Sequence, residues 1–376
     1  MLRFATYRER LERSAAAWFT AQGHTVQRTP YVLARWEDWP RNLLDPDLAA
    51  LVDAERASRE AKGEGFPLHK WLHHGLSSQA MLFNLVLPLL AREDVDALAE
   101  SFRAAGAPWP GPGATARLEV EDRAIFGEAQ AQPTSFDLCI EGPAGPPLLI
   151  EAKLVEASFG GCSLRENGDC DGENPARDPA RCPLTAIGRR YWQRLDEHGF
   201  TDALAAGPHC ALALHYQFFR EAAFALTRGG HYILLVHADN PAFRRDDGAR
   251  GLWPFLLRSV PERHRSRLQL VTLQHAADAL QATGRHPWVA EFRERYALDP
   301  PAAGELAGVE EVLAALPSET ACAIRRLWET AGYGGATGRT AQRDISRLLA
   351  TVGIRKGDPR WTAIIEEGRG RYYTGR

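Results

Sequence analysis

The chain has 376 residues, 45% hydrophobic and 25% charged, with a formal net charge of −3. That is enough apolar material for one large core, or a core with a smaller satellite, and it excludes a protein drawn to nucleic acid by bulk charge alone; any basic surface must be local. The longest apolar run, Met81 to Ala91, is broken by Asn84 and Pro88 and falls far short of the roughly 20 residues that cross a bilayer, so no membrane span is expected. The opening segment MLRFATYRERLERSAAAWF carries acidic residues and lacks an apolar centre, so it reads as neither signal nor transit peptide, and a cytoplasmic home is expected. In such a reducing compartment the six cysteines should be thiols or metal ligands.

In chain order, residues 5–22 have helical spacing, with Leu11, Ala15, Trp18 and Phe19 on one face. A second helix is expected over 47–62, and a third from Ser77, a good N-cap, to Leu90; the third is apolar on most sides and so should be buried. A fourth covers 93–104, and the Pro/Gly-rich stretch 106–113 is a loop. Short strands follow at 117–120, 135–140 and 147–155. Residues 160–183, rich in Cys, Asn, Gly, Asp and Pro, form an unusually long loop. Helices are predicted at 184–197, 210–227 and 252–266, and strands at 231–237 and 268–273. The order implies an α/β fold with a mixed central sheet flanked by helices, carrying N-terminal helices over 1–64, a core over 65–297 and a small helical unit over 305–376 beyond a linker, Leu298 to Gly304.

The strongest chemical signal is PPLLIEAKLVE, residues 146–156. Side chains alternate along a strand, so Glu151 and Lys153 share one face while Ile150, Ala152 and Leu154 share the other. The preceding SFDLCI alternates as strictly, with Phe136, Leu138 and Ile140 opposite Ser135, Asp137 and Cys139. A turn over 141–146 would pair the two antiparallel and bring Asp137 beside Glu151. Two carboxylates and a lysine suit phosphodiester cleavage: the acids offer hard oxygens to Mg²⁺ or Mn²⁺, and the lysine can orient a water and offset developing negative charge. The alternative is a solvated ion pair on a strand, but the flanking runs are too apolar for an exposed edge.

The segments SFD and LLIEAK, preceded by helical and strand-forming sequence, resemble the PD-(D/E)XK nuclease superfamily; with LSSQAMLFNLVLPLL, TSFDLCIEG, IEAKLVEASFGGCS and HYQFFRE, residues 70–240 resemble a group of bacterial restriction endonucleases. The resemblance implies a core of helix, three strands, helix and strand, divalent-metal-dependent hydrolysis of DNA, and Asp137, Glu151 and Lys153 as the catalytic acids and lysine. Phe136 stands where the superfamily commonly has proline. Gln79 falls on the helix where such nucleases often place a Glu or Gln near the metal; it also fits as a polar residue near the helix cap. Glu128 is either a further metal ligand or a loop acid, and Gln217 and Arg220 either approach the scissile phosphate or form the polar face of their helix.

Cys162, Cys170, Cys182 and Cys210, spaced by eight, twelve and 28 residues, match no compact zinc signature, yet could close the polar loop around zinc or an iron–sulfur cluster; unrelated thiols are the alternative. Cys139 and Cys322 have no evident partner. His69 and His73 lie one helical turn apart but lack a third ligand, which makes them surface or capping residues. From Arg339 to Arg376, nine Lys and Arg stand against four Asp and Glu, a net of +5; this segment either meets DNA phosphates or is a solvated helical surface. The expected protein is thus a DNA nuclease acting in restriction or defence, with a homodimer as a possible form; the rival is a nucleic-acid-binding protein or subunit that keeps the nuclease fold without cutting.

Overall fold

The computed structural model describes residues 2–129, 133–244, 251–299, 312–313, 315–330, 335–356, 358–362 and 364–365. The remaining residues, which include Pro300–Gly304 of the expected linker and much of the basic tail, lie outside the described set. Two compact units are present: Ser14–Leu298 is one, and Met1–Arg13 with Asp299–Arg376 is the other. No helix among the described residues is long and apolar enough to cross a membrane.

The larger unit is built on a five-stranded sheet, in the order β1 (Thr115–Glu121), β2 (Ser135–Glu141), β3 (Leu148–Lys153), β4 (His231–Val236), β5 (Leu268–Thr272). The first three strands run antiparallel, and β3, β4 and β5 run parallel, so the sheet is mixed, as the alternation of strand and helix signals implies. Both β3 and β4 are buried along their whole length. That is expected of central strands covered on two faces, and it accounts for the continuous apolar character of LLI and YILLV.

Helix α1 (Leu2–Ala21), α2 (Ala49–Glu60) and α3 (Ser78–Leu90) precede the sheet. Ser77 caps α3, its hydroxyl accepting the Ala80 amide at 3.2 Å, and the side chains from Gln79 to Leu89 are buried. Asn84, which breaks the apolar run, is fully used: it accepts the Leu44 amide at 2.7 Å and donates to the Asn42 carbonyl at 3.0 Å and the Tyr296 hydroxyl at 2.8 Å. Residues 14–64 therefore belong to the same packed unit as the sheet. The contact nearest the site comes from α2, where buried Arg59 donates to the carbonyls of Leu118 and Glu119.

Four segments depart from expectation. The predicted helix over 184–197 is two pieces, Pro183–Ala186 and α4 (Tyr191–Glu197), because Gly188 adopts φ +85°, a left-handed conformation that ends a helix. The predicted helix over 252–266 divides into Leu252–Leu257 and Glu262–Arg265 around Pro261, whose ring cannot continue the first piece. Two further helices, Leu273–Ala282 and Trp288–Arg295, follow β5; the sequence pattern left them unassigned. Helix α5 (Ala211–Thr227) forms as predicted but is kinked at His215, with φ −139° and ψ 50°.

In the smaller unit, the helices Ser318–Thr330 and Gly335–Thr351 carry buried Ile324, Ile345 and Leu349, packed with Ile354, Ile364 and Ile365. This is the apolar stripe that the spacing of Ile345, Leu348 and Leu349 implies.

Candidate active site

Strands β2 and β3 pair with Leu138 opposite Ile150 and Cys139 opposite Leu149, and Asp137 comes beside Glu151 as expected: its Oδ2 accepts the Ala152 amide at 2.8 Å. The strict alternation of SFDLCI does not hold, however. Phe136 and Cys139 belong to the same buried cluster, and Phe136 packs on the rings of Phe224 and Tyr232. The slip occurs at Asp137, where the β1–β2 pairing skips Glu119. Glu119 has φ +50°, an uncommon conformation for a side-chain-bearing residue. The two bonds from Arg59 to the Leu118 and Glu119 carbonyls hold that irregular turn of β1 in place.

On β3, Lys153 Nζ lies 2.5 Å from Glu151 Oε1. Gln217 of α5 closes a triangle with them, accepting from Lys153 Nζ at 2.8 Å and donating to Glu151 Oε1 at 2.6 Å. The kink in α5 sets this up: the Tyr216 and Gln217 amides bond to the Gly160 and Phe159 carbonyls, each at 3.0 Å, instead of continuing the helix. One turn further, Glu221 is buried and accepts the Tyr232 hydroxyl at 2.9 Å. Across the site, Gln79 of α3 donates to Glu119 Oε1 at 2.7 Å and to the Pro67 carbonyl, and accepts the His69 amide at 2.8 Å. The structure thus brings together Asp137, Glu151, Lys153 and Gln217, with Gln79 reaching the group through Glu119.

Asp137, Glu151, Glu156 and Glu221 act on one ammonium, Lys153, and Glu119 acts in turn on Asp137. Burial is the largest influence on each group that shifts. It raises Asp137 well above the usual range, helped by the negative charges of Glu151 and Glu119. It raises Glu221 well above as well, again with Glu151 contributing. Glu119 is pushed up to about 7 by burial and by Glu151, against the Gln79 bond and Arg59. Lys153 is raised: burial opposes its charge, but Glu151, Glu156 and Glu221 outweigh that. Unshared negative charge on hard oxygen donors in a buried site is the chemistry a divalent cation neutralises. Among the described residues, no three His, Cys, Asp or Glu side chains form a ready ligand set. The carboxylates are instead bonded to protein donors: Asp137 to the Ala152 amide, Glu151 to Lys153 and Gln217, and Glu119 to Gln79.

Glu128 does not join this group. It is fully buried, and its oxygens accept the Thr134 amide at 2.7 Å, the Thr134 hydroxyl at 2.9 Å and the Tyr191 hydroxyl at 2.6 Å. Arg220 lies 3.4 Å away as its counter-charge, bonded to Thr134 and stacked 4.4 Å from the Tyr216 ring centre. Three of the four loop cysteines, Cys170, Cys182 and Cys210, line one cavity of about 70 Å³. Burial raises Cys210 to about 11, with smaller contributions from Cys182 and Cys162. The thiols are close neighbours, yet they too are not arranged as metal ligands, and all six cysteines are free.

Glu119 and Glu221 are the site residues the sequence reading missed. Glu221 left a signal, being an acid four residues after Gln217 within a Phe- and Ala-rich helix, where helical spacing puts both on one face. Glu119 left none, because a left-handed residue inside a strand breaks the alternation by which its direction would be read.

A family model described as Restriction Endonuclease associating with ARP matches residues 12–297. The chain belongs to this restriction endonuclease family. No curated protein and no solved structure matches it. The span of the family match contains the whole sheet, α3 and α5, and hence every residue of the acid–lysine group.

Proposed function

We propose that this restriction endonuclease family member is a divalent-metal-dependent nuclease that hydrolyses phosphodiester bonds in DNA in a restriction or defence role, acting in the cytoplasm. The observation that carries the reading is the excess of buried carboxylate around Lys153. Asp137 and Glu151, with Glu119 beside them, are the residues that would hold Mg²⁺ or Mn²⁺, and the ion would supply Lewis-acid polarisation of a phosphoryl oxygen and a more acidic water. Lys153 stays protonated in this surrounding and is aimed by Glu151 and Gln217, so it can offset negative charge developing on the phosphate. A homodimer would place one such site at each strand of a duplex.

The purified full chain should nick or linearise plasmid DNA with Mg²⁺ or Mn²⁺, and both Lys153→Ala and the isosteric Asp137→Asn should abolish it; cleavage undiminished in either variant refutes the assignment. One observation favours a second reading, a nucleic-acid-binding protein that does not cut: the carboxylates are bonded to protein donors and not gathered as ligands. Calorimetric titration with Mn²⁺ separates the two, since absence of binding supports the non-cutting protein.

A further inference from the structure

Beside the acid–lysine group lies a cavity of about 550 Å³, within the range of about 300–1,000 Å³ in which compact organic ligands are held. Gln217 and Glu221 are part of its lining, and Gln217 is the residue bonded to Lys153 and Glu151, so the cavity adjoins the acid–lysine group through that side chain. Its other walls carry hydroxyls, among them Thr134 and Ser135, together with apolar and cationic side chains. Leu184 and Ile187 are apolar, and Ile187 is 64% exposed, an unusual position for a large aliphatic side chain at the rim of a pocket; Tyr216 adds a ring. Arg189 and Arg220 supply positive charge. Arg220 is balanced by Glu128 at 3.4 Å. Arg189 is not: its guanidinium bonds the Gly127 carbonyl, and no carboxylate among the described residues pairs with it. An uncompensated guanidinium next to an apolar and aromatic wall matches a ligand with an anionic group and a flat ring.

We propose that this cavity receives one nucleotide of the nucleic-acid substrate, displaced from its stack next to the bond at the acid–lysine group, with Arg189 on its phosphate and its base against Tyr216, Leu184 and Ile187. This rests on the nuclease reading for the placement of the bond, and it adds the state of the substrate. A paired and stacked base cannot enter such a pocket, so the duplex must release it; the cost is lowest where a pair is already mismatched. Guanidinium–phosphate contact holds the backbone, and contact with a ring face holds any base without choosing among them.

The test uses the full chain carrying Lys153→Ala, so that binding is read without cleavage, with short duplex oligonucleotides containing 2-aminopurine in paired or mismatched positions. Binding should raise the 2-aminopurine emission, and mismatched duplexes should bind more tightly than paired ones. Adding Arg189→Gln should weaken binding about tenfold, lower the salt dependence by about one phosphate contact and remove the emission rise. Adding Ile187→Ser, an uncharged change at an exposed position, should reduce the emission rise alone. Unchanged affinity and emission in both variants overturn the proposal, and so does an affinity loss without any emission rise in the parent, which would leave Arg189 a plain backbone contact. If the chain with Lys153 intact neither cuts DNA nor binds metal while the emission response persists, the catalytic reading fails and the nucleotide pocket stands.

Discussion

Two buried acidic groups, one around Glu128 in the loop before β2 and one around Glu151 on β3, are treated in opposite ways. Around Glu128, one carboxylate meets Thr134, the Tyr191 hydroxyl and the Arg220 cation, so its charge is met in full. Around Glu151, several carboxylates share a single lysine and a few amides. The first arrangement is what a protein does with a charge it needs for structure. The second crowds acids whose ionisation burial and mutual repulsion oppose, the pattern expected where a site is held ready for a cation and a phosphate.

The contrast can be broken most sharply at Lys153. Lys153→Ala should lower the cleavage rate at least about a thousandfold, equivalent to about 4 kcal/mol of transition-state stabilisation, measured by single-turnover cleavage of a labelled duplex. A pH series is the next test. Glu119 ionises near 7 in the folded chain and at its ordinary value of 4.5 when unfolded. Its contribution to stability is therefore fully present below about 4.5 and is lost as pH rises through about 7, a change of about 3 kcal/mol. Urea unfolding in EDTA should show this decline, Glu119→Gln should flatten it, and Mg²⁺ should oppose it by favouring the ionised site.

Single isosteric changes then sharpen the comparison between the two acids. Glu128→Gln leaves Arg220 without its counter-charge and should cost about 2–3 kcal/mol of stability. Asp137→Asn removes a buried acid whose ionisation burial and its acidic neighbours oppose, while Oδ1 can still accept the Ala152 amide. It should therefore gain about 1 kcal/mol in stability while losing cleavage. Opposite signs in thermal unfolding are the expected result; equal losses would show that both acids are structural.

The sheet and the heart of the site were legible because central strands write their burial into the sequence. LLIEAK and HYILLV are apolar where two helical layers cover them, so a Glu and a Lys two residues apart within LLIEAK had to share a face. Where backbone conformation departs from the regular period, that reading fails. Glu119 at positive φ was invisible, and so was the flip of Phe136 that accompanies it. Gly188 divided a helix that composition alone joined. Arg59 lay in a segment read as an extension before the core, and only three-dimensional packing reveals that it braces β1 at the site. The four loop cysteines could be read either as a metal set or as unrelated thiols, and the cavity shared by Cys170, Cys182 and Cys210 does not by itself make a ligand set.

The break at His215 has a mechanical consequence. Because the Tyr216 and Gln217 amides are anchored on the Gly160 and Phe159 carbonyls, and the Cys162 amide in turn on the Ala213 carbonyl, the cysteine-bearing loop and the amide that steers Lys153 are fastened back to back. The aim of Gln217 on the lysine thus depends on backbone bonds that involve no charged residue.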